Sequence, residues 1–146
     1  GNGMKVGVVQ FVKGKWETGE RAVLEKFPDT CVIRSMGEGF TWETQDRERD
    51  IAAANGAWDM AKDMMADPSY DMILLDELNI CLRYDYLNID EVVATLDARR
   101  DMLHVIVTGR NAKDALIEAA DLVTEMGQIK HPFREQNVKA QRGVEF

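Results

Sequence analysis

Five short apolar runs recur along the chain, and their spacing constrains the fold more than any other feature. The first, VGVVQFV at residues 6–12, is an almost continuous series of apolar and mostly β-branched side chains. Such a run is typical of a strand that is buried on both faces of a sheet. The other four runs lie at residues 31–34, 72–76, 104–108 and 122–126. This pattern predicts five strands in a mainly parallel sheet.

Helical periodicity fills four of the segments between these runs. The predicted helices cover residues 20–27, 47–65, 90–98 and 113–119. In the longest of them, apolar residues recur at spacings of three and four, at Ile51, Ala54, Trp58, Ala61 and Met65. That spacing predicts one apolar stripe that packs on the sheet. The alternation of strands and helices predicts a single α/β domain over residues 1–146.

Composition excludes several classes of partner. The chain carries 26 acidic and 18 basic side chains, a formal net charge of −8, which argues against binding to a nucleic-acid backbone or an anionic membrane. No apolar stretch approaches the roughly 20 residues of a spanning helix, and the N-terminal residues lack the pattern of a secretory signal. We therefore expect a cytoplasmic protein. Its two distant cysteines, Cys31 and Cys81, are predicted to be buried free thiols.

Two acidic residues end the run at residues 72–76. The sequence MILLDE places Asp76 and Glu77 directly after four apolar residues. In nucleotide-binding folds this is the Walker B arrangement, in which a carboxylate holds Mg²⁺ because that hard cation prefers oxygen ligands. A buried strand whose acids cap the next turn fits the same pattern equally well. From the pattern alone, both interpretations remain open.

An aromatic pair lies in a polar, glycine-containing segment at residues 37–46. In an extended chain Phe40 and Trp42 point to the same side, and such a pair can form an apolar wall against a large flat ligand. Composition alone favours a second interpretation, in which both rings close the edge of the core. The segment follows a predicted strand, at the edge where open α/β sheets bind their ligands.

Cations follow two of the later runs. Arg110 comes just after the run at 104–108, where an arginine can bind phosphate oxygens in bidentate fashion. Lys130 opens the sequence KHPFR in a basic C-terminal part of this acidic chain. Taken singly, Arg110 fits a solvated surface position better than a binding site, whereas Lys130 could equally offset ligand phosphates or balance the surface charge.

Six segments together closely resemble the ATP:corrinoid adenosyltransferases. They occur in the same order over nearly the whole chain: VGVVQFVKGKWETGE at 6–20, MGEGFTWETQDRERD at 36–50, LLDELN at 74–79, VTGRN at 107–111, ADLVTEM at 120–126, and KHPF at 130–133 followed by KAQRGVEF. The resemblance implies a P-loop NTPase fold of the RecA-like kind, with three layers. It also implies an enzyme that transfers the 5′-deoxyadenosyl group of ATP to the cobalt(I) of a reduced corrinoid and releases triphosphate.

The resemblance also assigns roles to particular residues. Asp76 and Glu77 would serve Mg²⁺ or Mn²⁺, with Glu77 in direct contact. Arg110 and Lys130 are candidates for substrate binding, and the resemblance adds no support for them. Phe40 and Trp42 match the aromatic pair that these enzymes place beneath the corrin, and this reverses the interpretation of the two rings as core. An electron-donating flavoprotein or reduced flavin and a homodimeric assembly are further implications.

One part of the family pattern does not occur in this sequence. Family members carry a first strand, a glycine-rich Walker A loop of the form GxGKGKTT and a helix before the strand that matches residues 6–12, whereas this sequence reaches that strand directly after GNGMK. The expectation is therefore a member of the family without that N-terminal segment. The alternative function is a corrinoid-binding or scaffold module that has lost ATP binding and does not catalyse the transfer.

Overall fold

The sheet predicted from the apolar runs is present in the computed structural model, which describes residues 1–12, 19–35 and 47–143. Along the chain the elements are β1 (Val6–Gln10), α1 (Gly19–Leu24), β2 (Cys31–Ser35), α2 (Arg47–Ala66), β3 (Met72–Asp76), α3 (Leu78–Arg83), α4 (Ile89–Asp97), β4 (His104–Val107), α5 (Asp114–Ala119) and α6 (Pro132–Gln136). The four strands form one sheet in the order β2-β1-β3-β4, and every pairing is parallel. This is an α/β architecture consistent with a P-loop NTPase-like fold.

The long helix α2 covers the central strands, as its apolar stripe predicts. Ala54, Trp58 and Ala61 are almost completely buried, and the helix packs against β1 and β3. The glycine at position 7 of β1 permits this close contact, because a Cβ atom there would lie 2.9 Å from Cδ1 of Ile73 and 3.0 Å from the sulfur of Met64. The core is therefore centred on the inner strands and α2.

The run at 122–126 does not form the fifth strand that the sequence predicts. These residues have no regular secondary structure, and Leu122 and Met126 are 84% and 94% exposed. A strand persists only when its N–H and C=O groups pair with a neighbouring strand. Within the described residues the sheet ends at β4, and 122–126 pairs with no strand. An apolar run forms a strand only where it can pair with the edge of a sheet.

Two short helices, α3 and α6, were not predicted. Helix α3 follows the acidic pair directly, and four of its apolar residues are buried, Leu78, Ile80, Cys81 and Leu82. Helix α6 begins with Pro132 at its first turn and with the imidazole of His131 accepting a hydrogen bond from the N–H of Phe133. None of the helices in the described ranges combines the length and the apolar composition that a membrane span requires.

Candidate functional site

The parallel register brings the predicted acidic pair next to the loop after β4. Asp76 is the last residue of β3, and Leu75 is paired with Val107 of β4. Since parallel strands end at the same edge of the sheet, the residues that follow Val107 lie beside Asp76 and Glu77. The N–H of Thr108 donates to the carbonyl of Leu75 at 3.1 Å and continues the pairing by one residue.

The hydroxyl of Thr108 contacts both acidic residues. It donates to Oδ1 of Asp76 at 3.0 Å and accepts a hydrogen bond from the backbone N–H of Glu77, also at 3.0 Å. Both acidic residues are half-buried. One hydroxyl therefore fixes the orientation of the Asp76 carboxylate and the backbone of Glu77.

Glu77 lies at a sharp turn between β3 and α3. Its φ of 61° and ψ of 22° are in the left-handed region, which residues with a Cβ atom rarely occupy. Burial raises the pKa of the Glu77 carboxyl, the negative charge of Asp76 raises it further, and the positive charge of Arg110 lowers it. The site thus places two carboxylates close together, with the Arg110 cation acting on Glu77.

Asn79 and Gly109 complete the contact between the two loops. Asn79 is only 6% exposed; its backbone N–H donates to the carbonyl of Thr108, and its Nδ2 donates to the carbonyl of Gly109, both at 3.3 Å. A Cβ atom on Gly109 would lie 2.8 Å from Cβ of Asn79, and the φ of Gly109 is 124°. Only glycine fits this position. We call Asp76, Glu77, Asn79, Thr108 and Gly109 the carboxyl-edge cluster.

The donor set of the cluster fits a magnesium or manganese ion that is shared with a substrate. Mg²⁺ commonly binds through one or two carboxylates together with substrate phosphates and water, and Asp76 with Glu77 offers two carboxylates. No group of three or more His, Cys, Asp or Glu side chains suited to a metal occurs in the described ranges. The arrangement therefore suits a metal-phosphate complex better than a cage made only of protein ligands.

The two predicted cations differ in their described contacts. Arg110 follows Gly109, is exposed, and acts electrostatically on Glu77. Lys130 is also exposed and lies in the irregular stretch that precedes α6. Among the described contacts, none joins Lys130 to Asp76 or Glu77. The described contacts thus connect three of the predicted site residues, Asp76, Glu77 and Arg110, and none of these contacts includes Lys130.

Phe40 and Trp42 lie outside the described residues. The described chain stops at Ser35 and resumes at Arg47. The Ser35 hydroxyl donates to Oε1 of Gln10 at 2.6 Å, and both residues end their strands at the carboxyl edge. Arg47 donates to the carbonyl of Tyr84 at 3.2 Å and lies over the ring of Tyr86. Ser35, the last described residue before the aromatic pair, therefore lies at the edge of the sheet that holds the acidic pair.

The cysteines are not organised for thiolate chemistry. Both are free. Cys81 is buried in α3 as predicted, and burial, with a smaller contribution from Asp50, raises its pKa to about 12. Cys31 is only partly buried, so the prediction of two buried thiols is wrong for this residue, which lies on the edge strand β2. Burial raises its pKa as well, so neither thiol is a ready nucleophile.

Thr108 and Asn79 are the functional candidates that the sequence analysis did not identify. Thr108 is the last residue of the run at 104–108, and Asn79 follows the run at 72–76 by three positions, which is the only signal that the sequence offers for them. Their partners are 32 residues away for Thr108 and 30 for Asn79. Recognising them requires the parallel register of β3 and β4.

Comparisons with known proteins agree with these observations. The family model of the ATP:corrinoid adenosyltransferases BtuR/CobO/CobP matches residues 1–146. A corrinoid adenosyltransferase of Pseudomonas aeruginosa is 56% identical over 146 residues, which are all of this chain and 71% of the relative. One from a Sinorhizobium species is 58% identical over 99% of this chain and 68% of its own length, and one from Escherichia coli K12 is 49% identical over 100% and 73%.

Proposed function

The chain belongs to the ATP:corrinoid adenosyltransferase family, and from that premise we propose that it transfers the 5′-deoxyadenosyl group of ATP to the cobalt(I) of a reduced corrinoid. Enzymes of this family are transferases that adenosylate corrinoids, with ATP and a corrinoid as substrates. The observation that carries the site assignment is the carboxyl-edge cluster, in which Thr108 bridges Asp76 and Glu77. The proposed reaction takes place within a single domain.

The proposed chemistry is a nucleophilic substitution at carbon. The cobalt(I) centre of the corrinoid donates an electron pair to the 5′ carbon of ATP and forms the carbon–cobalt bond. The bond from that carbon to the phosphate oxygen breaks, and its electron pair leaves with inorganic triphosphate. Because the substrate supplies the nucleophile, the protein has to orient the ribose, stabilise charge on the triphosphate and exclude water. The raised pKa of the Cys81 thiol is consistent with a protein that supplies no nucleophile of its own.

The carboxyl-edge cluster is suited to the leaving group. Asp76 and Glu77 would hold Mg²⁺ or Mn²⁺, with Glu77 as the direct ligand, and an ion held there would supply positive charge for the triphosphate. Arg110 reaches phosphate oxygens with its planar guanidinium group, and its effect on the pKa of Glu77 supports a location near the ion. Lys130 is the weaker of the two cation assignments, since no described contact connects it to the cluster.

The corrinoid is assigned to the segment at residues 37–46, which follows β2. Phe40 and Trp42 pack beneath the corrin and displace its lower ligand, which makes cobalt(II) easier to reduce. The support is the family resemblance of GFTWETQ, together with the position of Ser35 at the carboxyl edge. An electron-donating flavoprotein or reduced flavin supplies the electron that reduces cobalt(II) to cobalt(I). The enzyme acts as a homodimer. Both of these partners rest on the resemblance alone.

An adenosylation assay tests the proposed function. The protein is mixed with ATP, Mg²⁺ and chemically reduced cob(I)alamin, and adenosylcobalamin is followed by its absorption spectrum. We expect Glu77→Gln to lower kcat/KM by about 10²- to 10³-fold, the typical effect of removing one electrostatic stabiliser. Glu118→Gln, the same change at an exposed position of α5, should leave the rate unchanged. Product formation by Glu77→Gln at the wild-type rate would contradict the assignment of this residue. Corrinoid binding without any product would identify the non-catalytic module instead.

The same assay separates the aromatic pair from the acidic pair. If Phe40 and Trp42 assist reduction, Phe40→Ala and Trp42→Ala should slow turnover from cob(II)alamin under reducing conditions more than turnover from preformed cob(I)alamin. Equal losses on the two substrates would mean that the rings only stabilise the fold. Glu77→Gln should slow both reactions equally, since it acts on the triphosphate.

A further inference from the structure

We propose that Thr108 is a positioning residue that sets the geometry of the acidic pair. The inference rests on the proposed metal role of Asp76 and Glu77, and it adds a residue that carries no charge and comes from a different strand end. Thr108 does not touch the reacting atoms; it acts through the two acidic residues.

The direction of both hydrogen bonds follows from the chemistry of the groups. A backbone N–H can only donate, so the hydroxyl oxygen of Thr108 accepts from Glu77. A threonine hydroxyl has a single proton, and that proton is directed to Oδ1 of Asp76. An ionised carboxylate can only accept hydrogen bonds, and Oδ1 of Asp76 is the acceptor of this one. One arrangement satisfies all three groups, and it holds the Asp76 carboxylate in one orientation.

The contact to Glu77 acts on its backbone. Glu77 has a left-handed conformation, which is unfavourable for a residue with a Cβ atom. The direction of its side chain depends on this turn. The hydrogen bond from its N–H to Thr108 holds the turn in place, so Thr108 directs the carboxyl of Glu77 through the backbone.

Thr108 is itself held firmly. Its N–H donates to Leu75, and its carbonyl accepts from the N–H of Asn79. Asn79 also donates to the carbonyl of Gly109, while its buried Oδ1 has no partner within the described residues. The hydroxyl is therefore presented from a backbone that is fixed on both sides. Such outer groups commonly control the affinity of a metal site through the ligands that they orient.

Binding of Mn²⁺ in the presence of ATP, measured by electron paramagnetic resonance on the full chain, tests the inference without relying on activity. Thr108→Val keeps the shape of the side chain and removes the hydroxyl, and we expect about 10- to 100-fold weaker Mn²⁺ binding. Thr108→Ser keeps the hydroxyl and should restore binding to near the wild-type level. The matched control is Thr95→Val. The Thr95 hydroxyl donates to the carbonyl of Glu91 in α4 at 2.8 Å, and this change should leave binding unaltered.

A second measurement follows the hydrogen bond itself. The amide of Glu77 should exchange with solvent faster in Thr108→Val than in the wild type or in Thr108→Ser, because its acceptor is gone. If Thr108→Val does not fold, Thr108→Ala takes its place in both measurements. The inference is overturned if the hydroxyl-free variant binds Mn²⁺ like the wild type, or if Thr108→Ser loses as much binding as that variant does.

The outcomes also separate this inference from the proposed function. Asp76→Asn should abolish Mn²⁺ binding. If it does so while Thr108→Val binds normally, the metal role of the acidic pair stands and the positioning role of Thr108 falls. If Asp76→Asn and Glu77→Gln both bind Mn²⁺ like the wild type, the proposed metal role itself is wrong. Wild-type protein that binds no Mn²⁺ with ATP present would lead to the same conclusion.

Discussion

The loop after β4 and the C-terminal segment 120–143 both begin close to apolar runs of similar texture, yet the structure holds them in different ways. The loop is tied to β3 through the carboxyl-edge cluster, with hydrogen bonds between residues about 30 positions apart. In the C-terminal segment most residues are exposed, including the apolar Leu122, Met126 and Ile129. Its one helix, α6, has no buried residue.

The difference shows what a parallel sheet contributes to a site. In β3 and β4 the register places Leu75 opposite Val107, so the residues just beyond them meet without help from any local motif. The C-terminal segment has no comparable partner in the described part of the sheet. One long-range hydrogen bond, from Nη2 of Arg99 to Oδ2 of Asp121 at 3.0 Å, reaches the start of the segment, where the Asp121 side chain is 89% exposed. The cluster can therefore hold functional groups at fixed distances, and the segment as described cannot.

Hydrogen exchange gives the largest expected contrast between the two regions. Within the described residues, no backbone amide from 121 to 130 donates to another backbone group, so we expect these amides to exchange at nearly unprotected rates. The amides of Met72–Asp76 lie in a strand that is paired on both sides. They should exchange about 10³-fold more slowly or slower still, since core amides open only with much of the molecule. Protection of 121–130 equal to that of β3 would break the comparison and show that the segment is paired.

The outcome at 122–126 shows where inference from sequence stops for the fold. Residues 72–76 and 122–126 are both short apolar runs, and the sequence predicts a strand for each. For 72–76 the prediction is confirmed, as it is for the other three strands and for the four predicted helices within a few residues at their ends. Local pattern reports whether a segment favours a strand. It does not report whether a sheet edge is available, because that depends on every other strand.

A matched pair of leucine substitutions gives the next largest effect. Leu75 in β3 is completely buried, whereas Leu122 is mostly exposed. We expect Leu75→Ala to lower the free energy of unfolding by about 2–5 kcal/mol, through lost burial and the cavity that remains. Leu122→Ala should change it by no more than about 0.5 kcal/mol. Denaturant unfolding of both variants measures this difference. Equal destabilisation would show that Leu122 is covered in solution, which would remove the contrast between the regions.

For the candidate site, the sequence identifies charged residues and misses those that orient them. Asp76 and Glu77 stand out because two acids follow an apolar strand. Thr108 and Asn79 are uncharged and common in loops, and their roles come from contacts across the sheet. The left-handed turn at Glu77 is also invisible in the sequence, since glutamate rarely adopts it. The positions of these side chains depend on the register between β3 and β4, and a sequence motif contains only the local order of residues.

The two predicted cations give the smallest contrast and test the comparison at the level of function. Arg110 follows Gly109, which packs closely against Asn79, so the backbone that carries the guanidinium is fixed near the acidic pair. The positive charge of Arg110 also lowers the pKa of Glu77. Arg110→Ala should raise the KM for Mg·ATP about tenfold, the effect of losing one charge-assisted hydrogen bond.

Lys130→Ala should raise the same KM less than Arg110→Ala does, because no hydrogen bond among the described residues joins the backbone at Lys130 to the carboxyl-edge cluster. Arg110→Lys serves as the control for charge. It keeps the positive charge and loses the planar fork, so it should recover only part of the affinity if bidentate contact matters. Steady-state kinetics with Mg·ATP varied at saturating cob(I)alamin measures all three variants. If Lys130→Ala has the larger effect, the C-terminal segment contacts the triphosphate. A fixed backbone would then not be what determines which cation binds the triphosphate.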